Sequence, residues 1–339
     1  MEKILTISIA AYNVAEYLKH TLDSIVNNRI VPRELLEKLE VLVVDDESKD
    51  DTRKIAKEYE KRFPGIVRVI NKENAGHGST INRGICEATG KYFKALDGDD
   101  WFETAALSHI LKHLSDKTAD IVVTDYYKCF EGAEPVLVQV DGIQTMKENM
   151  VLQYEEQIPN IRWIPYHAAI YRTELLQEHA IRLDEKIFYV DTELMLYPVP
   201  YLKTIMYLSY GLYCYRLGRD GQSVSKASRI KNITHGEKVA VALLNLYKNN
   251  VDDLSDTKKR YLIRGIGGHC VWHVRSMLLM KPNKENCNKL IGFDKTVRGV
   301  SPEIYAFMDQ ESHLVHWLRR YNYKLYKLIC FYRQHKREK

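Results

Sequence analysis

The chain has 339 residues and a mass of 39.6 kDa, which predicts two domains, or one large α/β domain with an appendage. Hydrophobic residues make up 45% of the sequence and charged residues 28%, so the composition excludes a disordered or collagen-like chain. No apolar run reaches the roughly 18–20 residues that a membrane-spanning helix needs. No small-residue cleavage site follows the N-terminus, which argues against a secretory signal. Six scattered cysteines without a CxxC pair indicate the reduced thiols of a cytoplasmic protein.

The net charge of +5 at pH 7 is unevenly distributed. Residues 319–339 contain eight Lys or Arg and one Glu, so this tail carries +7 and the rest of the chain −2. An enzyme that binds nucleic acid would spread positive charge over its body. We therefore expect no nucleic acid partner.

Strand-like and helix-like patterns alternate over the first 125 residues. The predicted strands are 4–10, 39–44, 66–70, 92–96 and 121–124, and the predicted helices are 15–26, 50–63, 79–88 and 103–114. Repeated β-α-β units predict a Rossmann-like α/β fold, a mainly parallel sheet with flanking helices. The pattern loosens from 126 to 225, and the rest is predicted to be helical, at 239–247, 258–279 and 313–332.

Polar clusters follow four of the predicted strands. They cover residues 10–13, 45–48, 74–78 and 97–100. In open α/β sheets, ligands bind beyond the carboxyl ends of the strands. We therefore expect these clusters to form one site.

The acidic cluster of Asp97, Asp99 and Asp100 points to a metal ion. Like charges this close raise each other's pKa unless a cation neutralises them. Mg²⁺ binds through one or two carboxylates together with substrate phosphates, so the expected cofactor is a divalent metal, Mg²⁺ or Mn²⁺. The alternative is a solvated acidic turn.

The other clusters have weaker individual signals. Asp46 follows a buried strand and can accept hydrogen bonds from a ribose or a base, although capping of the next helix by Ser48 or Asp50 is an alternative role for the segment. Tyr12 can stack on a base. Gly76 lies in a loop before a helix, where the backbone can approach a phosphate closely.

In order and spacing, these segments together resemble glycosyltransferase family 2. The segments are Ser8-Ile-Ala-Ala-Tyr-Asn13, Val43-Val-Asp-Asp-Glu-Ser48, Asn74-Ala-Gly76 with Asn82-Arg-Gly84, and Leu96-Asp-Gly-Asp-Asp100. The resemblance covers about residues 3–225 and is strongest over 3–102. It implies a GT-A fold with a nucleotide-sugar-binding half (1–102), an acceptor-binding half (103–228) and a helical C-terminal region (229–339).

The resemblance also implies residue roles on the donor side. Ala10 and Tyr12 would line the base pocket, and Asp46 would contact the uracil ring. Asp97 and Asp99 would be the DxD residues beside ribose, diphosphate and metal, with Asp100 as a further metal ligand.

Two departures from the family pattern lie in the same half. Ala11 replaces the usual Pro before Tyr-Asn, and Thr80-Ile81-Asn82 replaces a frequent Ala-Arg-Asn run. An arginine contact to the phosphate therefore does not carry over. Lys72 and Arg83 are nearby cations that would substitute for it.

In the second half, Asp191 corresponds to the family's general base, which takes the proton of the acceptor hydroxyl. Val190 stands where the family often has the Glu of a Glu-Asp pair, so only the Asp matches. The alternative to a catalytic role is that Asp191 caps a short helix. The expected acceptor residues are Trp101, Trp163, His167 and Arg216. A core role is the alternative for the aromatic residues, and Arg216 with residues 222–225 resembles a loop that closes over both substrates.

The predicted activity is that of an inverting glycosyltransferase. It would use a nucleoside-diphosphate sugar, a UDP-sugar by preference, and a glycan or lipid-linked acceptor in capsule, exopolysaccharide or cell-wall biosynthesis. A sugar-phosphate nucleotidyltransferase and a non-catalytic carbohydrate-binding protein are the alternatives. The predicted location is cytoplasmic, and the basic-aromatic tail 313–339 suits the inner face of an anionic membrane; packing of this tail on the body is the alternative.

Overall fold

The structure is a computed structural model that describes residues 2–27, 29–218 and 225–335. The chain forms two compact units, Met1–Arg219 and Asp220–Lys339. Within the described ranges, no helix has both the length and the apolar character needed to cross a bilayer.

The first unit is built on one sheet of ten strands within its described residues. The strands are β1 (Leu5–Ala11), β2 (Leu39–Asp45), β3 (Val67–Asn71), β4 (Tyr92–Asp97), β5 (Trp101–Phe102), β6 (Ile121–Phe130), β7 (Val136–Val138), β8 (Val151–Gln153), β9 (Ala169–Arg172) and β10 (Thr204–Leu217). Their order is β3-β2-β1-β4-β9-β6-β10-β5, with β7 on β6 and β8 on β10.

Eight α-helices accompany this sheet in the described part of the unit. They are α1 (Ala15–Val26), α2 (Arg33–Leu36), α3 (Thr52–Arg62), α4 (His77–Glu87), α5 (Thr104–Asp116), α6 (Tyr154–Gln157), α7 (Thr173–Glu178) and α8 (Asp191–Leu196). The long helices follow the strands as the β-α-β pattern predicts.

The parallel register places the strand ends side by side. All seven residues of β2 are buried, because its continuous apolar run is covered on both faces. Ala11 pairs with Asp45, and Asp45 pairs with Asn71. On the other side of β1, Ala10 pairs with Asp97. The residues that follow these four strands therefore meet at one edge.

The second half of the sheet is mixed. Strands β6 and β10 are parallel over ten paired positions, whereas each antiparallel pairing spans only two or three. The pairing of β5 with β10 places Trp101 opposite Cys214. The predicted α/β class with a mainly parallel sheet is confirmed.

The second unit is helical, as predicted. Its helices are α9 (Lys226–Lys231), α10 (Ile233–Asn250), α11 (Asp256–Met277), α12 (Lys284–Val300), α13 (Pro302–Glu311), α14 (His313–Arg320) and α15 (Tyr326–His335).

One predicted helix of this unit, 313–332, is wrong. The chain leaves the helix after Arg320, and Asn322 and Tyr323 adopt left-handed backbone angles, with φ of 46° and 59°. The Tyr323 hydroxyl donates to the carboxylate of Asp294, so a tertiary contact accompanies the break between α14 and α15.

Candidate active site

The loops after β1 and β2 are joined by side-chain hydrogen bonds. Oδ1 of Asn13 accepts from the backbone N–H of Lys49 at 2.8 Å, and Oγ of Ser48 accepts from the N–H of Asn13 at 3.1 Å. Tyr12 stands beside them and is 49% exposed. The predicted base-pocket residues Ala10 and Tyr12 therefore lie at the same edge, next to the loop that follows β2.

Asp46 is buried and holds the glycine-bearing loop. Its carboxylate accepts from Lys72 Nζ at 2.5 Å, from the N–H of Ala75 at 3.0 Å and from the N–H of Gly76 at 2.8 Å. A contact between this carboxylate and a uracil ring would compete with these bonds. Gly76 has a φ of 84°, a conformation that favours glycine, and a Cβ there would lie 3.4 Å from the backbone of Lys186.

Asp97 ends β4 and contacts the side chains of His77 and Tyr166. Its Oδ1 lies 2.9 Å from Nε2 of His77 and accepts from the Tyr166 hydroxyl at 3.2 Å. Desolvation would raise the pKa of Asp97, but the charge and hydrogen bond of His77 outweigh it, and the pKa is lowered.

Asp100 is buried, and protein donors occupy both of its carboxylate oxygens. The Tyr213 hydroxyl donates to Oδ2 at 2.6 Å, and the backbone N–H of Arg216 donates to Oδ1 at 2.7 Å. Desolvation, together with the charges of Asp97 and Asp99, raises the pKa of Asp100 well above its ordinary value. This carboxyl group therefore ties the acidic cluster to β10.

The acidic cluster fits a hard divalent cation. One carboxylate oxygen from each of Asp97, Asp99 and Asp100 lies within 4.8 Å of the others. Carboxylate oxygens are the ligands that Mg²⁺ and Mn²⁺ prefer. Asp97 and Asp99 are partly exposed whereas Asp100 is buried, so the first two are the more accessible to an ion.

Asp191 is the first residue of α8 and shares its surroundings with the acidic cluster. Solvent reaches this residue, yet the protein around it desolvates the carboxyl group. Desolvation raises the pKa of Asp191; the charge of His77 opposes this rise and that of Asp97 adds to it. The structure thus brings Asp191, His77 and Asp97 within electrostatic reach of one another, although 94 residues separate Asp97 from Asp191.

Two of the predicted acceptor residues pack against the acidic cluster. The Arg216 guanidinium lies 4.9 Å from the ring centre of Tyr17 and 4.8 Å from that of Trp101. Its Nε donates to the backbone carbonyl of Asp99 at 2.8 Å. Arg216 and Trp101 therefore border the acidic turn. The part of the predicted closing loop at 222–224 lies outside the described residues.

His167 belongs to an aromatic cluster. Its ring stacks on Tyr215 at 4.2 Å between centroids and meets Tyr213 edge-on at 4.9 Å. Its Nδ1 is buried without a hydrogen-bond partner, and desolvation lowers its pKa to about 3. His167 is therefore a neutral, packed imidazole. Trp163, also predicted for the acceptor, is partly exposed and precedes Tyr166 by three residues.

Lys94 is a further residue of the site that the sequence reading missed. This lysine is 1% exposed, and its Nζ donates to the carbonyls of Tyr166, His167 and Ala169 at 2.8–3.1 Å. Desolvation lowers its pKa to about 7, against the effect of Asp97. A lysine inside the otherwise apolar run of β4 was the signal for a buried polar contact.

Comparisons with known proteins identify the family and the fold. The sequence profile described as Glycosyl transferase family 2 matches residues 6–180. The chain is 28% identical over 219 residues to the uncharacterized glycosyltransferase EpsJ of Bacillus subtilis (strain 168). The aligned region covers 64% of this chain and 62% of EpsJ.

Two solved structures share the fold. S. aureus TarS 1-349 in complex with UDP-GlcNAc has a TM-score of 0.70 at 20% identity, over 99% of this chain and 93% of TarS. The mannosyltransferase PcManGT of Pyrobaculum calidifontis, in complex with GDP-Man and Mn²⁺, has a TM-score of 0.54 at 16% identity, over 98% and 87% of the two chains. The family match and the shared fold confirm the resemblance drawn from the motifs, and the chain belongs to glycosyltransferase family 2.

Proposed function

We propose that this chain transfers a sugar from a nucleoside-diphosphate sugar, a UDP-sugar by preference, to an acceptor hydroxyl group with inversion at the anomeric carbon. The observation that supports the proposal is the electrostatic proximity of Asp191 to His77 and to the acidic cluster. A protein that kept this fold only to bind a nucleotide or a carbohydrate would not need a carboxylate of raised pKa close to three clustered acids.

The donor would lie across the carboxyl ends of β1, β2 and β4. Tyr12 offers an exposed ring for the base. The loop 74–78, which Asp46 holds through the N–H groups of Ala75 and Gly76, would lie beside the phosphates. TarS, which has the same fold, was solved with UDP-GlcNAc. This likeness supports a UDP-sugar for the present chain.

Asp97 and Asp99 would hold a Mg²⁺ or Mn²⁺ ion, with Asp100 behind them. When bound, such an ion supplies charge neutralisation for the diphosphate leaving group. Two hydrogen bonds from β10 hold the acidic turn: Tyr213 donates to the Asp100 carboxylate, and Arg216 donates to the Asp99 carbonyl.

Asp191 would act as the general base. The acceptor oxygen forms a bond to the anomeric carbon while the bond from that carbon to the diphosphate oxygen breaks on the opposite face. The hydroxyl proton passes to the Asp191 carboxylate. A carboxylate whose pKa is raised by desolvation accepts a proton more readily than an ordinary aspartate, which suits this role.

The test combines product analysis with Asp191→Asn. Purified protein is screened with nucleotide sugars and Mn²⁺, and the released product is identified. We expect UDP release in the wild type, and a loss of about 100-fold or more in kcat for Asp191→Asn, with UDP affinity retained in calorimetry. Asp184→Asn, which removes an exposed acid from the same segment, is the matched control and keeps its activity.

Three results would contradict the proposal. Unchanged turnover in Asp191→Asn would remove the assigned base. Release of pyrophosphate would identify a nucleotidyltransferase. Carbohydrate binding without turnover of any donor in the wild type would identify a non-catalytic binding protein.

We further propose that the acceptor is a glycan or lipid-linked sugar of a surface polysaccharide, capsule or cell wall, and that the enzyme acts in the cytoplasm at the inner membrane face. In the described part of the predicted tail, 313–335, Val315, Leu318 and Ile329 are buried. Other side chains of α14, α15 and the turn between them are exposed. We call this exposed set the tail patch: Trp317, Arg320, Tyr321, Lys324, Lys327, Leu328, Phe331 and Tyr332.

Aromatic and basic side chains together favour an anionic bilayer surface. The test is flotation of the full chain with phosphatidylglycerol vesicles and with phosphatidylcholine vesicles. We expect binding to the anionic vesicles alone, and its loss in a Trp317→Ser, Leu328→Ser, Phe331→Ser variant. Equal recovery of wild type and variant would contradict the membrane contact. Residues 336–339 of the tail lie outside the described residues.

A further inference from the structure

The segment 183–191, here named the base loop, is attached to α4 by the side chain of Asn82. Oδ1 of Asn82 accepts from the backbone N–H of Leu183 at 2.8 Å, and Nδ2 donates to the carbonyl of Leu183 at 2.9 Å. Nδ2 also donates to Glu185 Oε1 at 3.2 Å. One amide thereby satisfies both backbone groups of a loop residue, as a neighbouring strand would.

The base loop also closely approaches the loop before α4 and the first turn of α4. The N–H of Lys186 donates to the carbonyl of Ala75 at 2.7 Å. A Cβ at Gly78 would lie 2.1 Å from the carbonyl oxygen of Asp184, so only glycine allows this approach. The glycines on either side of His77 therefore serve the contact with the base loop.

The base loop has a strained backbone. Lys186 and Tyr189 have φ angles of 62° and 73°, in the left-handed region that L-residues other than Gly, Asn and Asp rarely adopt. Such conformations persist where the surrounding contacts determine them, and they occur often at functional sites. Asn82 supplies contacts of this kind at the start of the loop.

The start of the base loop is also joined to α8. Glu193 is fully buried, and its Oε2 accepts from the N–H of Asp184 at 2.8 Å. The helix that begins with Asp191 is therefore connected through the base loop to α4. The loop before α4 is in turn bound to Asp46 through the N–H groups of Ala75 and Gly76.

We propose that Asn82 is a positioning residue for the reaction: it holds the base loop on α4, so that Asp191 keeps a fixed distance from the donor-binding loop 74–78. The inference rests on the proposed role of Asp191 as the base. It assigns a function to the Asn that remains where the family's Ala-Arg-Asn run is replaced by Thr80-Ile81-Asn82.

The first test measures the attachment itself. Asn82→Ala is compared with Gln177→Ala by hydrogen exchange. Gln177 is the matched control because its Nε2 donates to the carbonyls of Ile85 and Ala88, at the other end of α4. We expect faster exchange of the peptide covering 183–191 in Asn82→Ala and wild-type exchange of that peptide in Gln177→Ala. Unchanged protection in Asn82→Ala would overturn the proposal, whatever the reaction.

The second test asks whether Asn82 acts through the base. Turnover of UDP-GlcNAc, or of the donor that the screen identifies, should fall roughly 10- to 100-fold in Asn82→Ala, because a misplacement of about 1 Å can cost a factor of 100. The affinity for UDP should stay within about twofold. In an Asp191→Asn background, Asn82→Ala should lower the residual rate no further, since residues that act as a unit are non-additive.

Equal losses from Asn82→Ala in both backgrounds would show that Asn82 acts other than through Asp191, and would overturn the proposal. Asn82→Asp keeps the acceptor for Leu183 N–H but turns a carboxylate oxygen toward the Leu183 carbonyl and Glu185 Oε1, so its loss should be at least as large as that of Asn82→Ala. Wild-type turnover in Asp191→Asn would instead remove the proposed base, while the exchange result would still decide whether Asn82 holds the loop.

Discussion

Nε2 of His77 lies 2.9 Å from Oδ1 of Asp97, so the first acid of the metal-type cluster already has an imidazole partner within the protein. Desolvation would lower the pKa of His77, but the charges of Asp97, Asp191 and Asp99 outweigh it, and the pKa is raised. A metal ion at Asp97 would compete with this imidazole.

His77→Ala should therefore tighten Mn²⁺ binding in the absence of nucleotide. Removal of one competing partner at a solvent-accessible site is worth about 1 kcal/mol, or roughly a fivefold lower Kd, measurable by isothermal titration calorimetry at pH 7. His109→Ala, which removes a ring stacked on Tyr210, is the control. Weaker Mn²⁺ binding in His77→Ala would contradict the competition.

Substitution of Asp100 should lower the stability of the protein, whereas substitution of Asp99 should remove metal binding. Asp100→Ala leaves the Tyr213 hydroxyl and the Arg216 N–H without their acceptor, and each unsatisfied buried group costs about 1–3 kcal/mol. We expect the free energy of unfolding to fall by about 2–5 kcal/mol in urea. Asp99→Ala should change it by less than about 1 kcal/mol and should abolish Mn²⁺ binding. Equal stability of the two variants would show that Asp100 does not anchor the cluster.

Glu193 should make stability depend on pH. Desolvation raises its pKa to about 8 from an ordinary 4.5, despite the N–H of Asp184. Between these values the unfolded chain releases a proton that the folded chain keeps, so the Glu193 contribution to stability falls as pH rises.

Glu193→Gln removes this titration. From pH 5 to 8, the free energy of unfolding of the wild type should fall relative to that of the variant by up to about 1.4 kcal/mol per pH unit. Glu178→Gln, at an exposed position on α7, should follow the wild type. Parallel pH curves for the wild type and Glu193→Gln would contradict the raised pKa.

Lys94→Met should destabilise the first unit. It removes the donor of three carbonyls, at Tyr166, His167 and Ala169, and unsatisfied buried acceptors cost about 1–3 kcal/mol each. We expect a loss of about 3 kcal/mol or more in urea unfolding, against a change within about 0.5 kcal/mol for the exposed Lys112→Met. Equal stability of the two variants would show that the carbonyls do not depend on the ammonium group.

The strands and helices of residues 1–102 could be predicted because their signals are local. The apolar run of β2 and the helical spacing of α1 each lie within a short window, and the acids at 97, 99 and 100 are adjacent in the chain. The predicted helix 313–332 failed for the opposite reason. Its break at Asn322 and Tyr323 accompanies a contact with Asp294, which is 29 residues away and leaves no local signal.

The sequence by itself determined the α/β class, the edge of the sheet where the polar clusters meet, and the family, because strand periodicity and motif spacing are properties of neighbouring residues. Only the tertiary structure decided which groups those clusters contact: His77 beside Asp97, Lys94 beneath Tyr166, and Asn82 on Leu183. These contacts join residues 20 to 101 positions apart. Their hydrogen bonds depend on the packing of the sheet and helices, which no single stretch of sequence encodes.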